Sequence, residues 1–555
     1  MRFENNLFNL AKEIHRTAQQ FPERTAVIEP YQRAGRWELK RYTYRQLSDD
    51  TQRAITGLRA YGIQEETRTV YMAPPSYQAC VVSAALSAVG ATQLMIDPSV
   101  GYFNVAERLS KIAPEAFVGI PLSLTGRFVF GWGPRFGQKL VCLEGAFPGA
   151  LSFRKLIGYD PAPVQDPDIT PDTPAVVLYT TGSTGPAKPS VYLHRNFSQV
   201  FRTAHYSWRV HEMSEPPVDM AAFPAFHMIA IAAGGTTVVP PINFATATPA
   251  TTDAKPVCEV INAAKVRSLF ASPALLERIA HYANDHQLPM PTLERVIGGG
   301  APVFEPLVRS LLQVMAPHGE VWANYGATEA LPSTEHGSKE FLAETAELTA
   351  NGHGICVGTP FPNITVQAVG PIDQQSTRRQ DFKEMARGEL GELIVQGPNI
   401  SPEYFRDPES TRKNKLYDED GGVWHRLGDV GHIDEKGRVW VAGRVSQCLN
   451  IDGERIAPIP IEAIFDQHPK VRRSGLVQRN NADGKAEAVI CVESWEKLNA
   501  DDRSQLRNDL QNIIHTHPQC QIVSQILFSD GLPIDPRHNA KIERPRLAQW
   551  AQKQR

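Results

Sequence analysis

Short apolar runs alternate with helical patterns over residues 1–110. Thr25–Ile28, Thr69–Met72 and Thr92–Ile96 have the apolar content of short strands. Apolar positions recur at helical spacing over Tyr44–Tyr61, and Tyr77–Val89 is apolar over the length of a helix. Strands that alternate with helices predict an α/β fold whose sheets are largely parallel.

A second series of the same kind runs from Asp172 to Glu335. Its short strands are predicted at Ala221–Phe223, Ser268–Phe270 and Arg295–Ile297, and a helical pattern follows at Phe304–Met315. We therefore expect a large N-terminal domain of stacked sheets with helices, in a fold that is α/β locally and α+β overall.

The pattern changes to closely spaced strands and turns from Gly354 to Arg444, with strands predicted at Gly391–Gln396 and Gly437–Ala442. A compact helix and strand pattern follows this region. Its elements are predicted at Ile459–Gln467, Gly475–Gln478, Ala488–Val492 and Asp501–Thr516. We expect an N-terminal domain over residues 1–443 with a β-rich subdomain at 354–443, a hinge at 444–450 and a mobile C-terminal domain at 451–555.

The stretch Pro74–Ile96 carries no charge and invites comparison with a membrane span. Prolines, a glycine and polar residues interrupt it, and Asp97-Pro98 follows directly, so we interpret it as a buried helix that leads into a strand. No apolar signal-peptide core is present near the N-terminus.

The composition is that of an ordinary globular protein, with 42% hydrophobic and 21% charged residues among 555. A net charge of -3 without a long basic block argues against nucleic acid as the main partner. The seven cysteines are scattered and none lies in a Cys-x-x-Cys pair, which disfavours a cysteine zinc site and favours a reducing, cytoplasmic location.

The stretch Tyr179–Pro189 ends an apolar run and then gathers glycines, hydroxyl residues and a lysine. Glycines let a backbone approach a polyphosphate, hydroxyls add donors and lysine adds charge. The spacing Gly182-Ser-Thr-Gly185-Pro-Ala-Lys188 differs from the P-loop spacing, so a P-loop kinase or GTPase is disfavoured. Taken alone, the stretch also fits a flexible surface turn.

Four later segments carry further candidate chemistry. A glycine turn follows a predicted strand at Gly298–Pro302, and Asn324–Glu329 places a tyrosine beside a glycine, a threonine and a carboxylate. Trp424–Asp429 ends in an aspartate that can accept a ribose diol, with Gly443-Arg444 further on. The fourth, His538–Arg544, contains Lys541. Each segment alone also fits an ordinary turn or a surface charge.

Taken in order, these segments resemble the ANL superfamily of adenylate-forming enzymes, which includes acyl-CoA synthetases, luciferases and adenylation domains. The resemblance covers nearly the whole chain, starting at Tyr42–Leu47 and at Gly90-Ala91 with Asp97-Pro98. It implies ATP and Mg²⁺ as cofactors, a small mobile C-terminal domain, and attack of a carboxylate on the α-phosphate of ATP to give acyl-AMP and pyrophosphate.

The resemblance also implies roles for individual residues. The phosphates would be held by Thr180, Thr181, Gly182, Ser183, Thr184, Gly185 and Lys188. The nucleotide would be lined by Gly299, Gly300, Ala301, Asn324, Tyr325 and Gly326. Thr328 would contact a phosphate, Glu329 would bind Mg²⁺, Asp429 would take the ribose diol beside Arg444, and Lys541 would bridge the substrate carboxylate and the α-phosphate.

The chain departs from the family pattern at two places. Pro189 replaces the usual glycine after Lys188 and favours extended backbone at that lysine. At the junction, Ser446 replaces the usual hinge acid, and Asn450 replaces the lysine used in many second half-reactions. The loss of that lysine weakens the case for thioester formation.

Further segments resemble the OleC-type β-lactone synthetases of long-chain olefin biosynthesis. They are Pro114–Pro121, Tyr325–Pro332, Ile355–Gly358, His425–Gly431, Arg537–Ile542 and Ala548–Trp550. Such enzymes activate a β-hydroxy acid as its adenylate, and its own hydroxyl then closes the lactone. The resemblance implies a hydrophobic 2-alkyl-3-hydroxy acid as substrate and companion enzymes of the olefin pathway as partners.

His227 is a candidate base for the ring-closing hydroxyl because it lies where relatives keep residues of the acyl pocket; a packed or gating histidine is the alternative. A fatty acyl-CoA ligase is the competing enzyme hypothesis. A non-catalytic nucleotide-binding protein would be expected to lack Glu329, Asp429 or Lys541, and all three are present.

Overall fold

The structure is a computed structural model of the 555-residue chain. It describes residues 3–96, 102–133, 138–179, 188–209, 215–371, 375–481, 483–534 and 542–554. The predicted sites at residues 97–98, 180–187 and 535–541, which include Thr180, Thr181, Gly182, Ser183, Thr184, Gly185 and Lys541, lie outside the described residues.

The helices of the described residues are numbered in chain order. They are α1 (Leu10–Gln20), α2 (Tyr44–Ala60), α3 (Tyr77–Ala88), α4 (Tyr102–Ile112), α5 (Pro121–Phe130), α6 (Phe153–Leu156), α7 (His194–Ser207), α8 (Met228–Ala232), α9 (Ala254–Ala264), α10 (Pro273–Asp285), α11 (Glu305–Leu312), α12 (Ser338–Glu340), α13 (Ala346–Ala350), α14 (Pro408–Asn414), α15 (Pro458–Phe465), α16 (Ala500–Thr516) and α17 (Arg544–Gln552).

The strands are numbered in the same way. The first seventeen are β1 (Thr25–Arg33), β2 (Arg36–Thr43), β3 (Thr69–Met72), β4 (Gln93–Met95), β5 (Ala116–Gly119), β6 (Lys139–Cys142), β7 (Leu151–Ser152), β8 (Pro174–Tyr179), β9 (Pro189–Leu193), β10 (Val218–Ala221), β11 (Thr236–Val238), β12 (Ser268–Ala271), β13 (Arg295–Gly299), β14 (Glu320–Ala327), β15 (Ala330–Gly337), β16 (Ile355–Cys356) and β17 (Thr359–Pro360). The others are β18 (Thr365–Gly370), β19 (Lys383–Glu384), β20 (Gly391–Gln396), β21 (Glu403–Tyr404), β22 (Lys415–Tyr417), β23 (Val423–Ile433), β24 (Val439–Arg444), β25 (Leu449–Ile451), β26 (Glu454–Ile456), β27 (Val471–Asn480), β28 (Ala486–Ser494) and β29 (Val523–Ser529).

Two large sheets organise the N-terminal part of the described chain. One has the strand order β17-β15-β14-β13-β12-β10-β11-β1-β2, and the other has the order β21-β9-β8-β4-β3-β5-β6-β7. Their inner strands pair in parallel, and antiparallel pairs occur towards the edges. The carboxyl ends of neighbouring parallel strands therefore lie together, as in other α/β ligand sites.

The largest hydrophobic core contains residues of both large sheets together with α1, α2, α3, α7 and α8. Every residue of α3 except Gln78 is buried, which explains why the segment before β4 lacks charge. The interpretation of Pro74–Ile96 as a buried helix and strand is thus confirmed. Within the described ranges, no helix is both long and apolar enough to cross a bilayer.

A third sheet is antiparallel throughout and has the order β16-β24-β23-β20-β18-β19, with β22 paired to β23. It lies within the segment 354–444, where the sequence predicts closely spaced strands. The chain then forms the hairpin β25–β26 and a three-stranded sheet, β27-β28-β29, whose core includes α15 and α16.

The α/β prediction is confirmed, and β3 and β20 have the predicted bounds. Two predicted strands are shifted. β10 is Val218–Ala221, so Phe223 lies beyond its end, before the short 3-10 helix Pro224–Phe226. β24 continues to Arg444 because that residue pairs with Asp429 of β23, so the first residue of the predicted hinge is a strand residue.

The seven cysteines are all thiols in the structure. Six are buried, whereas Cys448 is partly exposed and follows the 3-10 helix Val445–Gln447. The most exposed thiol therefore lies in the predicted hinge.

Candidate active site

The two strands that flank the predicted phosphate loop form an antiparallel pair. Tyr179 at the end of β8 pairs with Pro189 at the start of β9. The ends of the loop are therefore held together by a ladder. Lys188, the described residue of the loop, points its Nζ towards Asn414 Oδ1 at 3.4 Å and lies 5.4 Å from the ring centroid of Tyr404.

The glycine turn after β13 and the segment at the end of β14 are neighbours, because Gly299 pairs with Asn324 in parallel. A Cβ on Gly299 would lie 3.1 Å from the Phe270 ring, and Gly300 has φ +86°, which favours glycine. Asn324 Nδ2 donates to Ser207 Oγ at 2.7 Å. These contacts bring Gly299, Gly300 and Asn324 together where β13 ends.

The turn between β14 and β15 requires a glycine at position 326. A Cβ on Gly326 would lie 2.4 Å from the Ala330 carbonyl oxygen, so the chain folds tightly back on itself there. The carbonyl of Thr328 accepts a hydrogen bond from the Tyr192 hydroxyl at 2.9 Å. Glu329 is thereby placed on a turn with little freedom to move.

Tyr325, Asp429 and Arg444 form a polar group that we call the aspartate trio. The Tyr325 hydroxyl donates to Asp429 Oδ2 at 2.7 Å, and Arg444 Nε lies 3.1 Å from Asp429 Oδ1. Asp429 is only 6% exposed. Burial and the charge of Asp429 raise the pKa of Tyr325 well above its ordinary value, so its hydroxyl keeps its proton and acts as the donor.

Glu329 lies in a second polar group, which we call the glutamate cluster. Its carboxylate is 8% exposed and accepts at Oε1 from the Tyr404 hydroxyl. His425 Nε2 lies 3.9 Å from Glu329 Oε2, which is longer than a hydrogen bond. The fully buried Lys415 has its Nζ 5.7 Å from the Tyr404 ring centroid and donates to the Ser401 carbonyl.

The basic groups of the glutamate cluster have lowered pKa values because they are buried. Burial lowers the pKa of Lys415 to about 7 and also lowers that of Lys188, while the charge of Glu329 opposes both shifts. Burial and the charge of Lys415 hold the pKa of His425 well below its ordinary value. His425 Nδ1 lies 3.2 Å from the Asn414 carbonyl oxygen. Because a carbonyl oxygen only accepts hydrogen bonds, Nδ1 is the ring nitrogen that carries the proton.

His227 is 5% exposed and lies between the 3-10 helix and α8. Its Nδ1 donates to the Pro224 carbonyl, which fixes the tautomer and leaves Nε2 as the acceptor nitrogen. Nε2 is buried and has no hydrogen-bond partner among the residues that the structure describes. Burial lowers the pKa of His227 to about 4, so the ring is neutral at pH 7.

Arg544, which begins α17 three residues after Lys541, is tied to the predicted hinge. Its guanidinium forms a buried two-pronged ion pair with Glu462 of α15, and its Nε donates to Gln447 Oε1 at 3.2 Å. Asn450 lies exposed on β25, with its backbone N–H donating to Gln478 Oε1 at 2.9 Å.

The structure thus brings the described site residues into two groups. One group contains Gly299, Gly300, Asn324, Tyr325, Asp429 and Arg444. The other contains Lys188 and Glu329. The sequence predicts no role for four further residues that contact or surround the Glu329 turn, namely Tyr192, Tyr404, Lys415 and His425. Of these, only His425 lies within a segment that the sequence singles out, Trp424–Asp429, and its position there is the signal that could have identified it. Tyr404 and Lys415 belong to short edge strands without a recognisable motif.

The charged groups of the site suit a nucleotide triphosphate with a hard cation. The buried Glu329 carboxylate is an oxygen ligand of the kind that Mg²⁺ prefers, and Mg²⁺ is commonly held by one or two carboxylates plus phosphates. In the described part of the chain, three or more His, Cys, Asp or Glu side chains do not gather into a metal cage. A carboxylate that works together with bound phosphates fits this arrangement.

Comparison with known proteins identifies the family of this chain. The family model of the AMP-binding enzyme matches residues 14–405. The chain is 31% identical to the olefin β-lactone synthetase of Xanthomonas campestris pv. campestris, over 99% of this chain and 98% of the relative. It is also 31% identical to the olefin β-lactone synthetase of Stenotrophomonas maltophilia, over 99% of this chain and 98% of that relative.

Solved structures agree on the fold. The amide bond synthetase McbA from Marinactinospora thermotolerans matches with a TM-score of 0.76 and 20% identity, covering 98% of this chain and 99% of that one. ATP-bound MatB from Rhodopseudomonas palustris matches with a TM-score of 0.72 and 20% identity, over 98% and 99% of the two chains. Together, the family match over residues 14–405 and the full-length relatives show that this chain belongs to the AMP-binding family of the ANL superfamily and is an adenylate-forming enzyme.

Proposed function

We propose that this protein is an ATP-dependent β-lactone synthetase that acts on a hydrophobic 2-alkyl-3-hydroxy fatty acid. The observation that carries the proposal is the 31% identity to two olefin β-lactone synthetases over 99% of the chain. The exposed Asn450, at the position where thioester-forming relatives use a lysine, supports it.

In the first half-reaction, a carboxylate oxygen of the acid attacks the α-phosphorus of ATP. The new P–O bond forms as the bond to the β-phosphate oxygen breaks, and pyrophosphate leaves. Positioning and electrostatic stabilisation are sufficient for such an in-line displacement, so no protein nucleophile is required. The product is an acyl-adenylate.

We assign the nucleotide contacts as follows. Asp429, oriented by Tyr325 and Arg444, accepts the ribose hydroxyls, and the glycine edge at 299–301 with Asn324, Tyr325 and Gly326 lines the adenine. Lys188 and the hydroxyls of Thr180, Thr181, Ser183 and Thr184 hold the phosphates with Gly182 and Gly185, and Thr328 adds a contact. Lys541 neutralises charge that develops between the carboxylate and the α-phosphate.

Glu329 is the residue that would hold Mg²⁺. The ion supplies charge neutralisation for the phosphate oxygens when it is bound. The Tyr404 hydroxyl donates a hydrogen bond to Oε1 of Glu329.

In the second half-reaction, the β-hydroxyl of the bound acid attacks the acyl carbon. The new C–O bond closes a four-membered ring, the bond between the acyl carbon and the phosphate-bridging oxygen breaks, and AMP leaves with that oxygen. An internal hydroxyl needs no second substrate site, only orientation and exclusion of water.

His227 is the base that we propose for the hydroxyl proton. Its Nδ1 is committed to the Pro224 carbonyl, and the buried Nε2 presents a lone pair. Burial lowers the pKa of His227 to about 4, so this lone pair is unprotonated at neutral pH, and the ring is a weaker base than an exposed histidine.

An apolar cavity of about 20 Å³ lies next to the site residues and is a candidate start of the alkyl pocket. Its walls include Leu178 before Tyr179, Phe226 before His227, and Leu331 two residues after Glu329. The other lining residues are Phe197, Val200, Phe201 and Ile229. The apolar lining suits a hydrocarbon group, and a volume of about 20 Å³, roughly the space of one water molecule, makes this cavity a starting point and not the whole pocket of a long chain.

The test is to incubate the purified protein with ATP, Mg²⁺ and a 2-alkyl-3-hydroxy fatty acid, with and without CoA, and to identify products by mass spectrometry. We expect β-lactone and AMP in equal amounts, independent of CoA. A CoA thioester without lactone would overturn the proposal in favour of an acyl-CoA ligase.

Isotope labelling separates ring closure from hydrolysis. An acid labelled with ¹⁸O at the β-hydroxyl is expected to place the label in the lactone ring, and an acid labelled in the carboxylate is expected to transfer one ¹⁸O to AMP. The matched control is the 2-alkyl acid without a hydroxyl, which should support pyrophosphate exchange but give no lactone. Label from the hydroxyl in AMP would contradict the mechanism.

Lys541→Ala tests the C-terminal domain. We expect adenylate formation to be abolished while ATP still binds, because residues 451–555 are proposed to bring this lysine to the α-phosphate. Unchanged pyrophosphate release would contradict the role of Lys541. Enzymes that supply the β-hydroxy acid, by reduction of a β-keto acid, and that consume the β-lactone are proposed partners.

A further inference from the structure

The glutamate cluster contains two buried polar side chains with no role in the chemistry described above. Tyr404, in β21, is 2% exposed, and Lys415, in β22, is fully buried. A buried lysine is rare because taking an ammonium out of water is costly, and it normally has a compensating contact. The contacts of both side chains lead to Glu329.

Tyr404 contacts Glu329 directly. Its hydroxyl donates to Oε1, and burial together with the charge of Glu329 raises the pKa of Tyr404, so the proton stays on the phenol. One oxygen of the carboxylate is thereby occupied, and the rotation of the Glu329 side chain is restricted. The other oxygen, Oε2, faces His425 at 3.9 Å.

Lys415 reaches the same turn through the backbone. Its Nζ donates to the Ser401 carbonyl, and the Ser401 N–H donates to the Glu329 carbonyl at 2.9 Å. The loop 399–404 that carries Tyr404 is further tied to the Glu329 turn by Asn399, whose Nδ2 donates to the Leu331 carbonyl at 2.9 Å. Lys415 is therefore the buried amine that joins this loop to the acidic turn.

We propose that Tyr404 and Lys415 are positioning residues of the adenylating site: the Tyr404 hydroxyl orients the Glu329 carboxylate towards the cation, and Lys415 fixes the loop that carries Tyr404. The proposal rests on the role of Glu329 proposed above. Cation binding in this enzyme would then depend on two residues that lie outside the nucleotide motifs, Tyr404 and Lys415.

The direct test compares Tyr404→Phe with Tyr417→Phe, which removes a hydroxyl from the partly exposed end of β22. Mn²⁺ binding is measured by electron paramagnetic resonance in the presence of a non-hydrolysable ATP analogue, and the affinity of the analogue without metal is measured by calorimetry. We expect Tyr404→Phe to raise the Mn²⁺ concentration for half-saturation about fivefold or more, with metal-free nucleotide affinity unchanged. Tyr417→Phe should behave as wild type.

An unchanged Mn²⁺ requirement in Tyr404→Phe would overturn the proposal, as would an equal change in Tyr417→Phe. This readout needs only nucleotide and metal, so it is separate from the proposed reaction. If the wild type binds the nucleotide but forms no lactone, the proposed function fails while the positioning role is still measured.

Lys415→Met is compared with Lys413→Met, which removes an exposed lysine of α14. We expect Lys415→Met to lower the melting temperature and to raise the Mn²⁺ requirement in the same direction as Tyr404→Phe, whereas Lys413→Met changes neither. If Lys415→Met does not fold, Lys415→Arg keeps a charged donor and is expected to restore both folding and the Mn²⁺ requirement. A folded Lys415→Met with a wild-type Mn²⁺ requirement would overturn the role of Lys415.

Discussion

The glutamate cluster and the aspartate trio are built alike and differ in where their partners come from. In each, a buried carboxylate accepts a hydrogen bond from a tyrosine hydroxyl, Tyr404 for Glu329 and Tyr325 for Asp429. The tyrosine partner of Glu329 comes from the edge strand β21, and His425 faces its carboxylate from β23. Asp429 pairs across β23–β24 with Arg444, the first residue of the predicted hinge.

From this difference we propose different roles for the carboxylates of Glu329 and Asp429. Tyr404, Lys415 and His425 of the glutamate cluster are buried on β21, β22 and β23, which suits the proposed role of holding the triphosphate end in one geometry. The aspartate trio lies where the chain leaves the third sheet, so the nucleotide that we propose at Asp429 would be coupled to the segment that leads to the C-terminal part. We therefore expect a substitution of Glu329 to lower the rate of adenylation and a substitution of Asp429 to lower the affinity for the nucleotide.

The largest effect is expected for Glu329→Gln. Loss of a charge that supports the transferring phosphoryl group should lower kcat for adenylation about 10²- to 10³-fold, by analogy with other electrostatic groups. Acid-dependent pyrophosphate exchange measures it, and Glu344→Gln on the surface is the control. A large rise in KM for ATP with kcat intact would mean that Glu329 acts like Asp429, and the contrast would be lost.

Asp429→Asn is expected to act on affinity. A hydrogen bond to a charged group is worth about 1.5–3 kcal/mol, so KM for ATP should rise about 10- to 100-fold while kcat changes little. Deoxy analogues of ATP should lose their disadvantage in the variant. If 2′-deoxy-ATP and ATP are still discriminated as in the wild type, Asp429 does not hold the ribose.

Tyr325→Phe should give a smaller rise in KM, about tenfold, because Asp429 keeps Arg444 as a partner. The double variant Tyr325→Phe/Asp429→Asn tests the contact itself. Residues in direct contact are expected to be non-additive, so the double variant should resemble Asp429→Asn alone. Full additivity would show that Tyr325 acts on the nucleotide independently of Asp429.

Arg444→Met is expected to have the smallest effect on KM. Its side chain is 36% exposed, and ion pairs with exposed partners are worth about 1 kcal/mol or less, so the change should be about fivefold at most. A larger fall in lactone yield than in pyrophosphate exchange would indicate that Arg444 serves the second half-reaction through the hinge. Equal changes in both would place it in nucleotide binding alone.

The parts of the site that the sequence predicts are those carried by one continuous segment after a strand. Gly299 follows the strand predicted at Arg295–Ile297, whereas Asn324 lies in β14, which the sequence does not predict, and parallel pairing places the two residues side by side. The apolar runs also predict inner strands from local sequence. A strand such as β3 is buried on both faces, so all of its residues belong to one continuous apolar run.

The rest depends on long-range packing that local patterns do not encode. Tyr404 follows Glu329 by 75 residues and reaches it only because β21 adds to the edge of β9 in another sheet. A lysine in the short strand β22 has the composition of a surface residue, and its burial follows from the loop packed over it. The three-residue β11 between β1 and β10 is likewise fixed by its neighbours rather than by its own sequence.

The distribution of thiols provides one natural site at which a spectroscopic label can be attached. Because Cys448 is the partly exposed cysteine and the other six are buried, a maleimide dye is expected to react there first in the native enzyme. Cys448 lies four residues after Arg444 and next to Gln447, which bonds Arg544. Fluorescence from this one position would follow the C-terminal segment through the catalytic cycle without any engineered cysteine.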